Sequence, residues 1–141
     1  MYQAYISNDS IMFIRHYGTY EGAESATAIL STLELNPIAT QVKGVFFDVR
    51  EVTDVSLEDT DRAQKAFLLR KLASYGQKVS LASLVAVVNP ENVVANKTLA
   101  ERNRRVKGAI FDFETIKGVY SVPEALKILG LPADYCIEYR S

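Results

Sequence analysis

The sequence is poor in the residues that build disulfides and metal sites. Its 141 residues include one cysteine, Cys136, and one histidine, His16. A lone thiol cannot form an intramolecular disulfide, and a lone histidine argues against a two-histidine metal centre and against a catalytic triad. We expect Cys136 to pack as a small apolar residue, with a reactive thiol as the alternative. We expect His16 to be a hydrogen-bonded or half-exposed strand residue, with a titrating role as the alternative. We expect neither a metal nor a cofactor.

An excess of charge of either sign is also missing. The 16 basic and 17 acidic residues leave a formal net charge of −1. No global field therefore attracts nucleic acid or anionic lipid, and we expect no nucleic-acid partner. The first residues show no basic leader with an apolar stretch, and the longest nearly apolar run, Leu81 to Val88, is far too short to span a bilayer. We expect a cytoplasmic protein without an integral membrane segment.

Motifs of catalysis are missing as well. The sequence contains no glycine-rich phosphate loop, no Gly-x-Ser-x-Gly elbow and no Cys-x-x-Cys pair. The remaining composition, 48% apolar and 23% charged residues, is close to the globular average. A chain of this length encloses a sizeable core in one domain. These features predict one domain spanning residues 1–141 that is not an enzyme.

The first third of the sequence predicts a hairpin followed by a helix. Aromatic and β-branched residues dominate Tyr2 to Ser7 and Ile11 to Tyr17, and Asn8-Asp9 between them suits a tight turn. Gly18-Thr19 is expected to break the second strand. Helical spacing follows, with apolar residues at Ala23, Ala26, Leu30 and Leu33.

Three later apolar runs predict parallel strands. They are Val45 to Val49, Leu84 to Val88 and Ala109 to Phe113, each separated from the next by a helical pattern. Right-handed crossovers would make them neighbours in one sheet. The fold class is therefore α/β, with a single mixed, mostly parallel sheet of about five strands in the order β-β-α-β-α-β-α-β-α.

A charged segment after Val49 is the first place to look for function. We interpret it as a turn that delivers side chains to the carboxyl edge of the sheet, and Ser56 with Asp59 resembles a capping box that opens a helix. An ordinary cap is favoured over a phosphoacceptor at Ser56 because the flanking acids repel added negative charge. The acids suit either a hard cation such as magnesium or, more simply, solvation. The candidate partner-contact or switch residues are Asp48, Thr53, Asp54, Ser56, Glu58 and Asp59.

A second candidate surface is basic. Arg102, Arg104, Arg105 and Lys107 lie at the predicted end of the helix that follows Asn89-Pro90, and Lys97 lies on the same helix. The helix dipole alone favours cations at that end, while a patch for phosphate or an acidic partner is the functional alternative.

The eight tyrosines suggest either packing or contact. Several of them belong to the first hairpin and its exit, including Tyr2, Tyr5, Tyr17 and Tyr20. Packed strand-face tyrosines are the simpler interpretation, and a self-association surface or a groove for a small apolar ligand is the alternative.

The element order is accompanied by two short patterns, Gly44-Val45-Phe46-Phe47-Asp48-Val49 before Val52-Thr53 and a second capping box in Ser121-Val122-Pro123-Glu124-Ala125-Leu126. Together they resemble the STAS domain of anti-sigma factor antagonists and sulfate transporters, over almost the whole chain. The switch members of that family carry Asp-Ser-x-Gly at the helix start after the third strand. Here the segment reads Asp54-Val55-Ser56-Leu57-Glu58-Asp59, so it is more similar to STAS-like bacterial proteins of unassigned role.

The resemblance implies a regulatory protein-interaction module without the usual phosphoacceptor. Its partner would be another protein or a second copy in a homodimer. The alternative is a small apolar ligand or lipid carrier, whose ligand enters between the sheet and a helix.

Overall fold

The computed structural model describes residues 1–21, 24–36, 42–56, 83–91 and 117–139, together with the helical residues Phe67, Arg70 and Lys71. Across these ranges the chain forms one five-stranded sheet with a helix on each side. The predicted α/β class and mixed sheet are confirmed.

The sheet begins with the predicted hairpin. Strand β1 (Tyr2–Ile6) pairs antiparallel with β2 (Ile11–Glu21). The backbone N–H of Ser10 donates to the carbonyl of Ser7 at 3.0 Å, and Ser10 has φ +62°. The Ser7 backbone N–H donates to the carbonyl of Ile11 at 2.9 Å, so the loop proper is residues 8–10. A three-residue loop that ends in a left-handed residue is a common way to close a hairpin. The sheet therefore starts with its only antiparallel pair among the described strands.

The remaining strands are parallel and follow chain order. Strand β3 (Gly44–Ser56) pairs with β2 and with β4 (Ser83–Val87), and β4 pairs with β5 (Lys117–Val119). The prediction that Val45 to Val49 and Leu84 to Val88 form neighbouring parallel strands is confirmed by β3 and β4. The predicted strand Ala109 to Phe113 lies outside the described residues, and β5 lies in a segment that the sequence placed after the last strand.

Alternate strand residues face two separate cores. On one side helix α1 (Glu24–Leu35) packs with Met12, Ile14, Val45 and Phe47. On the other, helix α2 (Val122–Ile128) and residues 131–139 cover Phe13, Phe46, Val85 and Val87, among others. Strand periodicity explains this division, because neighbouring residues point to opposite faces. Leu30 and Leu33 of α1 are buried as predicted, whereas the side chains of Ala23 and Ala26, the other two residues of the predicted apolar side, lie outside the described part of the chain.

The predicted N-cap of α2 at Ser121 is confirmed. The Ser121 hydroxyl accepts a hydrogen bond from the Glu124 backbone N–H at 3.4 Å, and Pro123 occupies the first turn. The helix ends before Gly130, whose φ of +74° is readily adopted only without a side chain. Its inner residues Ala125 and Leu126 are buried as predicted.

Three expectations about local structure are wrong. Gly18-Thr19 does not break β2, because Gly18 adopts φ +65° beside a register shift and the strand continues to Glu21. The segment after Val49 is not a turn, because it stays paired with this continuation of β2 as far as Ser56. Cys136 is exposed rather than packed. Its neighbours Tyr135 and Ile137 take the inward positions of an extended segment.

No helix in the described part of the chain is long and apolar enough to cross a membrane. The helix predicted after Asn89-Pro90 lies outside the described residues. So does the basic group that it carries, Lys97, Arg102, Arg104, Arg105 and Lys107.

Candidate functional site

Four of the six predicted partner-contact residues lie on β3, which pairs with β2 past the rest of the described sheet: Asp48, Thr53, Asp54 and Ser56. Pairing of β3 with β4 ends at Asp48 and Val87, whereas β2 and β3 continue side by side from Tyr17 and Glu51 to Glu21 and Ser56. We call residues 17–21 and 50–56 the charged ribbon. It extends the carboxyl end of two parallel strands, which is where open α/β sheets commonly bind ligands.

The charged ribbon has an apolar and a charged side. Tyr20 and Val52 are buried against each other, with Val49 and Val55 partly buried beside them. The exposed residues of its β3 strand are Arg50, Glu51, Thr53 and Asp54. The apolar contacts hold the two strands together, so the exposed side chains stand on a paired backbone rather than on a loop.

Asp48 lies in β3 at the base of the charged ribbon. It is 7% exposed and pairs across the sheet with Arg15 and Val87. Its Oδ1 accepts from the Arg50 Nε at 3.0 Å, and its Oδ2 accepts from the Arg50 Nη2 at 2.8 Å. This two-point contact raises the pKa of the Arg50 guanidinium. The charges of Asp48 and Arg50 therefore neutralise each other.

Arg15 ties three strands together at the same level. Its Nε donates to Glu51 Oε2 at 3.0 Å, its Nη1 donates to Gln3 Oε1 at 3.2 Å, and its guanidinium lies 5.4 Å from the centre of the Tyr17 ring. The hydrogen bond to Glu51 raises the pKa of Arg15. Glu51 is thus neutralised by a neighbouring strand, although it is exposed.

The acids do not gather into a cation site in the described part of the chain. Asp48 and Glu51 each bind an arginine, and the Asp54 Oδ1 accepts from the Val55 backbone N–H at 2.9 Å. Carboxylates that already hold arginine are poor ligands for a hard cation. Glu58 and Asp59, the other two acids of the predicted set, lie outside the described residues.

A second polar cluster, which the sequence did not predict, surrounds His16. The side chain is fully buried under α1. Its Nδ1 lies 2.5 Å from Glu24 Oε2, and its Nε2 lies 3.1 Å from Ser25 Oγ. Tyr20 completes the cluster, donating from its hydroxyl to Ser25 Oγ at 2.7 Å. The expectation of a hydrogen-bonded histidine is confirmed, whereas the argument that one histidine excludes a triad arrangement is wrong, because a triad needs only one.

The donor and acceptor roles in this cluster follow from burial. Desolvation lowers the pKa of His16, although the hydrogen bond and charge of Glu24 act in the opposite direction. The imidazole is therefore neutral at pH 7, with one donor nitrogen and one acceptor nitrogen. The Glu24 carboxylate only accepts, so Nδ1 carries the hydrogen. Nε2 must then accept from the hydroxyl of Ser25.

Burial of His16 predicts a specific pH dependence of stability. Because its folded-state pKa lies below the ordinary value of 6.5, the unfolded chain binds the proton first as the pH falls. The free energy of unfolding should therefore decline as the pH drops below about 6.5 and level off below the folded-state pKa. Urea unfolding between pH 8 and pH 5 measures this decline.

The matched control for that measurement is His16→Gln. The other charged groups that act on His16 are Glu24, the Met1 amine and Asp48. They remain in this variant, so subtracting its pH profile isolates the histidine. Identical profiles for the two proteins would contradict a lowered pKa.

A cleft of about 430 Å³ lies beside the first hairpin and the C-terminal segment. Its lining combines aromatic, acidic and small polar side chains: Tyr5, Ile6, Ser7, Asn8, Asp9, Tyr135, Cys136 and Glu138. Two carboxylates in this lining do not suit a lipid or a small apolar ligand. Tyr5 itself is packed, because its ring stacks on Phe13 with centroids 5.3 Å apart.

Comparison with known proteins adds no relative. No protein-family model matches this chain, and no curated protein or solved structure matches it either.

Proposed function

We propose that this chain is a regulatory protein-interaction module of STAS type that binds its partner through the charged ribbon and lacks the usual phosphoacceptor. The observation that carries the proposal is the continuation of β2 and β3 beyond β4, from Val49 to Ser56 in β3. Paired strands present side chains with little loss of conformational entropy on binding. A partner would therefore meet a preorganised surface.

The charge of this surface indicates the charge of the partner surface that would bind it. Arg50 and Glu51 are exposed, but each is already neutralised by an ion pair within the sheet. Asp54 is exposed and has no ion-pair partner among the described residues. Its carboxylate gives the outer face a local negative charge, so the complementary partner surface is basic. Thr53, next to Asp54 and also exposed, adds a hydroxyl that both donates and accepts.

The order of the described elements supports the STAS resemblance. An antiparallel hairpin opens a sheet whose other described strands are parallel, and the Ser121-capped helix follows β5. Ser56 ends β3 at the tip of the charged ribbon, without the Asp-Ser-x-Gly sequence of the phosphorylated members. Binding in this proposal does not depend on phosphorylation. The mixed lining of the hairpin cleft gives no support to the carrier alternative.

Affinity capture with two matched variants tests the proposal. The parent chain, Asp54→Lys and Asp134→Lys are immobilised and exposed to extract from the source cell, and bound proteins and small molecules are measured by mass spectrometry. Both substitutions make the same change of charge at an exposed aspartate, but Asp134 lies in the C-terminal segment. We expect Asp54→Lys to weaken the specific partner at least tenfold, about 1.4 kcal/mol.

The control should bind as the parent does. If both variants lose the partner equally, or both retain it equally, the charged ribbon is not the docking surface. A second copy of the chain as the captured protein would identify a homodimer through the same ribbon. A co-purifying apolar molecule, with no protein affected by Asp54→Lys, would favour the carrier.

A further inference from the structure

Glu24, His16 and Ser25 are hydrogen-bonded to one another in the same sequence as the acid, histidine and serine of a catalytic triad. Glu24 orients the imidazole, the imidazole accepts from the serine hydroxyl, and the two contacts measure 2.5 Å and 3.1 Å. We propose that Ser25 is an activated nucleophile that accepts an acyl group from an ester. This site does not involve the exposed side chains of the charged ribbon. Its test is therefore independent of the test of partner docking.

Burial makes the arrangement effective. His16 has no exposed surface and Glu24 is 8% exposed, so water does not compete for their hydrogen bonds. Electrostatic interactions are stronger in such a site than at the surface. A carboxylate on Nδ1 fixes the tautomer that leaves Nε2 as the base, and it stabilises the imidazolium when Nε2 takes a proton.

Ser25 is the most exposed of these three residues. It is only half-buried, whereas His16 and Glu24 are buried. It lies in the first turn of α1, just after the carboxyl end of β2. Backbone N–H groups in a first helical turn have no partner within the helix, and the dipole favours negative charge there. The Ser25 backbone N–H donates to the Tyr20 hydroxyl at 3.2 Å, and this hydroxyl donates to Ser25 Oγ at 2.7 Å, so Tyr20 holds the nucleophilic oxygen in position.

The proposed step is a single acyl transfer. With an aryl ester as the acyl donor, the oxygen of Ser25 bonds to the ester's carbonyl carbon while its proton passes to Nε2 of His16. The bond between that carbon and the leaving oxygen then breaks, and a phenolate leaves with the bonding electron pair. The products are an O-acyl serine, an imidazolium paired with Glu24, and the phenolate, so atoms and charge balance without a further reactant.

Labelling with para-nitrophenyl acetate tests the proposal. The purified chain is treated with the ester, digested, and mapped by peptide mass spectrometry, with the acetylation rate of each serine measured. We expect Ser25 to be acetylated at least a hundredfold faster than Ser31, which is also half-buried and lies on the same helix. Ser31→Ala is the matched control and should leave this labelling unchanged, whereas Ser25→Ala should remove it.

Two further variants separate activation from simple exposure. Glu24→Gln preserves the size of the side chain but not its charge, and an amide in place of the orienting carboxylate lowers the rate of known triads about 10⁴-fold. We expect Glu24→Gln and His16→Gln each to slow acetylation of Ser25 at least a hundredfold while circular dichroism shows the parent fold. Where either variant unfolds, Tyr20→Phe replaces it, with an expected loss of about tenfold. Acetylation of Ser25 no faster than of Ser31, or unchanged rates in folded variants, would overturn the proposal.

Discussion

Phe13→Ala should remove about 3–5 kcal/mol from the free energy of unfolding, as truncation of a buried aromatic side chain does. Phe13 is fully buried, with the centre of its ring 5.3 Å from the Tyr5 ring, 5.3 Å from Phe46 and 5.7 Å from Tyr135. It therefore joins the hairpin, the parallel strands and the C-terminal segment. Truncation of this side chain leaves a cavity between these three parts of the chain, and they cannot all move inward to fill it.

Equilibrium unfolding in urea measures this change, and Phe67→Ala is its control. Phe67 is 55% exposed and its ring lies 5.2 Å from the Lys71 ammonium, a contact worth about 0.5–1 kcal/mol at an exposed site. Its truncation should cost no more than that amount. A loss below about 1 kcal/mol for Phe13→Ala would contradict the central position of this ring.

His16→Ala should lower the free energy of unfolding by about 3 kcal/mol, because removing one partner leaves the Glu24 carboxylate and the Ser25 hydroxyl buried with fewer contacts. The size of this loss in stability alone does not separate the contribution of the lost hydrogen bonds from that of the cavity left by the side chain. A double-mutant cycle with Glu24→Gln does so, because it isolates the energy that couples the two side chains.

We expect that coupling energy to exceed about 1 kcal/mol, since residues in one hydrogen-bonded network couple by about 0.5–3 kcal/mol. Urea unfolding of the four proteins at pH 7.5 supplies the cycle, since His16 is neutral there. Additivity within about 0.5 kcal/mol would mean that His16 and Glu24 do not act together.

Local sequence patterns predicted the parts of the fold that depend on neighbouring residues. The strand at Ile11 to Tyr17, the turn at Asn8-Asp9 and the N-cap at Ser121 are each readable within a few residues, and the structure confirms all three. The apolar segments Val45 to Val49 and Leu84 to Val88 predicted parallel neighbours because buried parallel strands carry continuous apolar residues.

The candidate sites were harder to predict because they depend on pairing between distant residues. The charged segment after Val49 has the composition of a turn, and it is a strand only because Gly18 lets β2 continue beside it. The charges of Arg15 and Glu51 look exposed in sequence, yet they neutralise each other across two strands.

The His16 cluster is indicated by the sequence, but not by any local pattern of neighbouring residues. Glu24 and Ser25 begin a helix shortly after the strand that carries the histidine, so the helix places both over it once it packs on the sheet. Only the crossover geometry of β2 and α1 reveals this. A search for histidine, acid and serine across such a crossover would have found the cluster.

Docking through the charged ribbon is tested most directly by amide hydrogen exchange on the captured complex. Exchange of the chain alone is compared with exchange of the chain bound to the protein that Asp54→Lys fails to retain. We predict slower exchange in the charged ribbon, residues 17–21 and 50–56, with no change in α2. Protection of α2 or of the C-terminal segment, with the charged ribbon unchanged, would contradict the proposed docking surface.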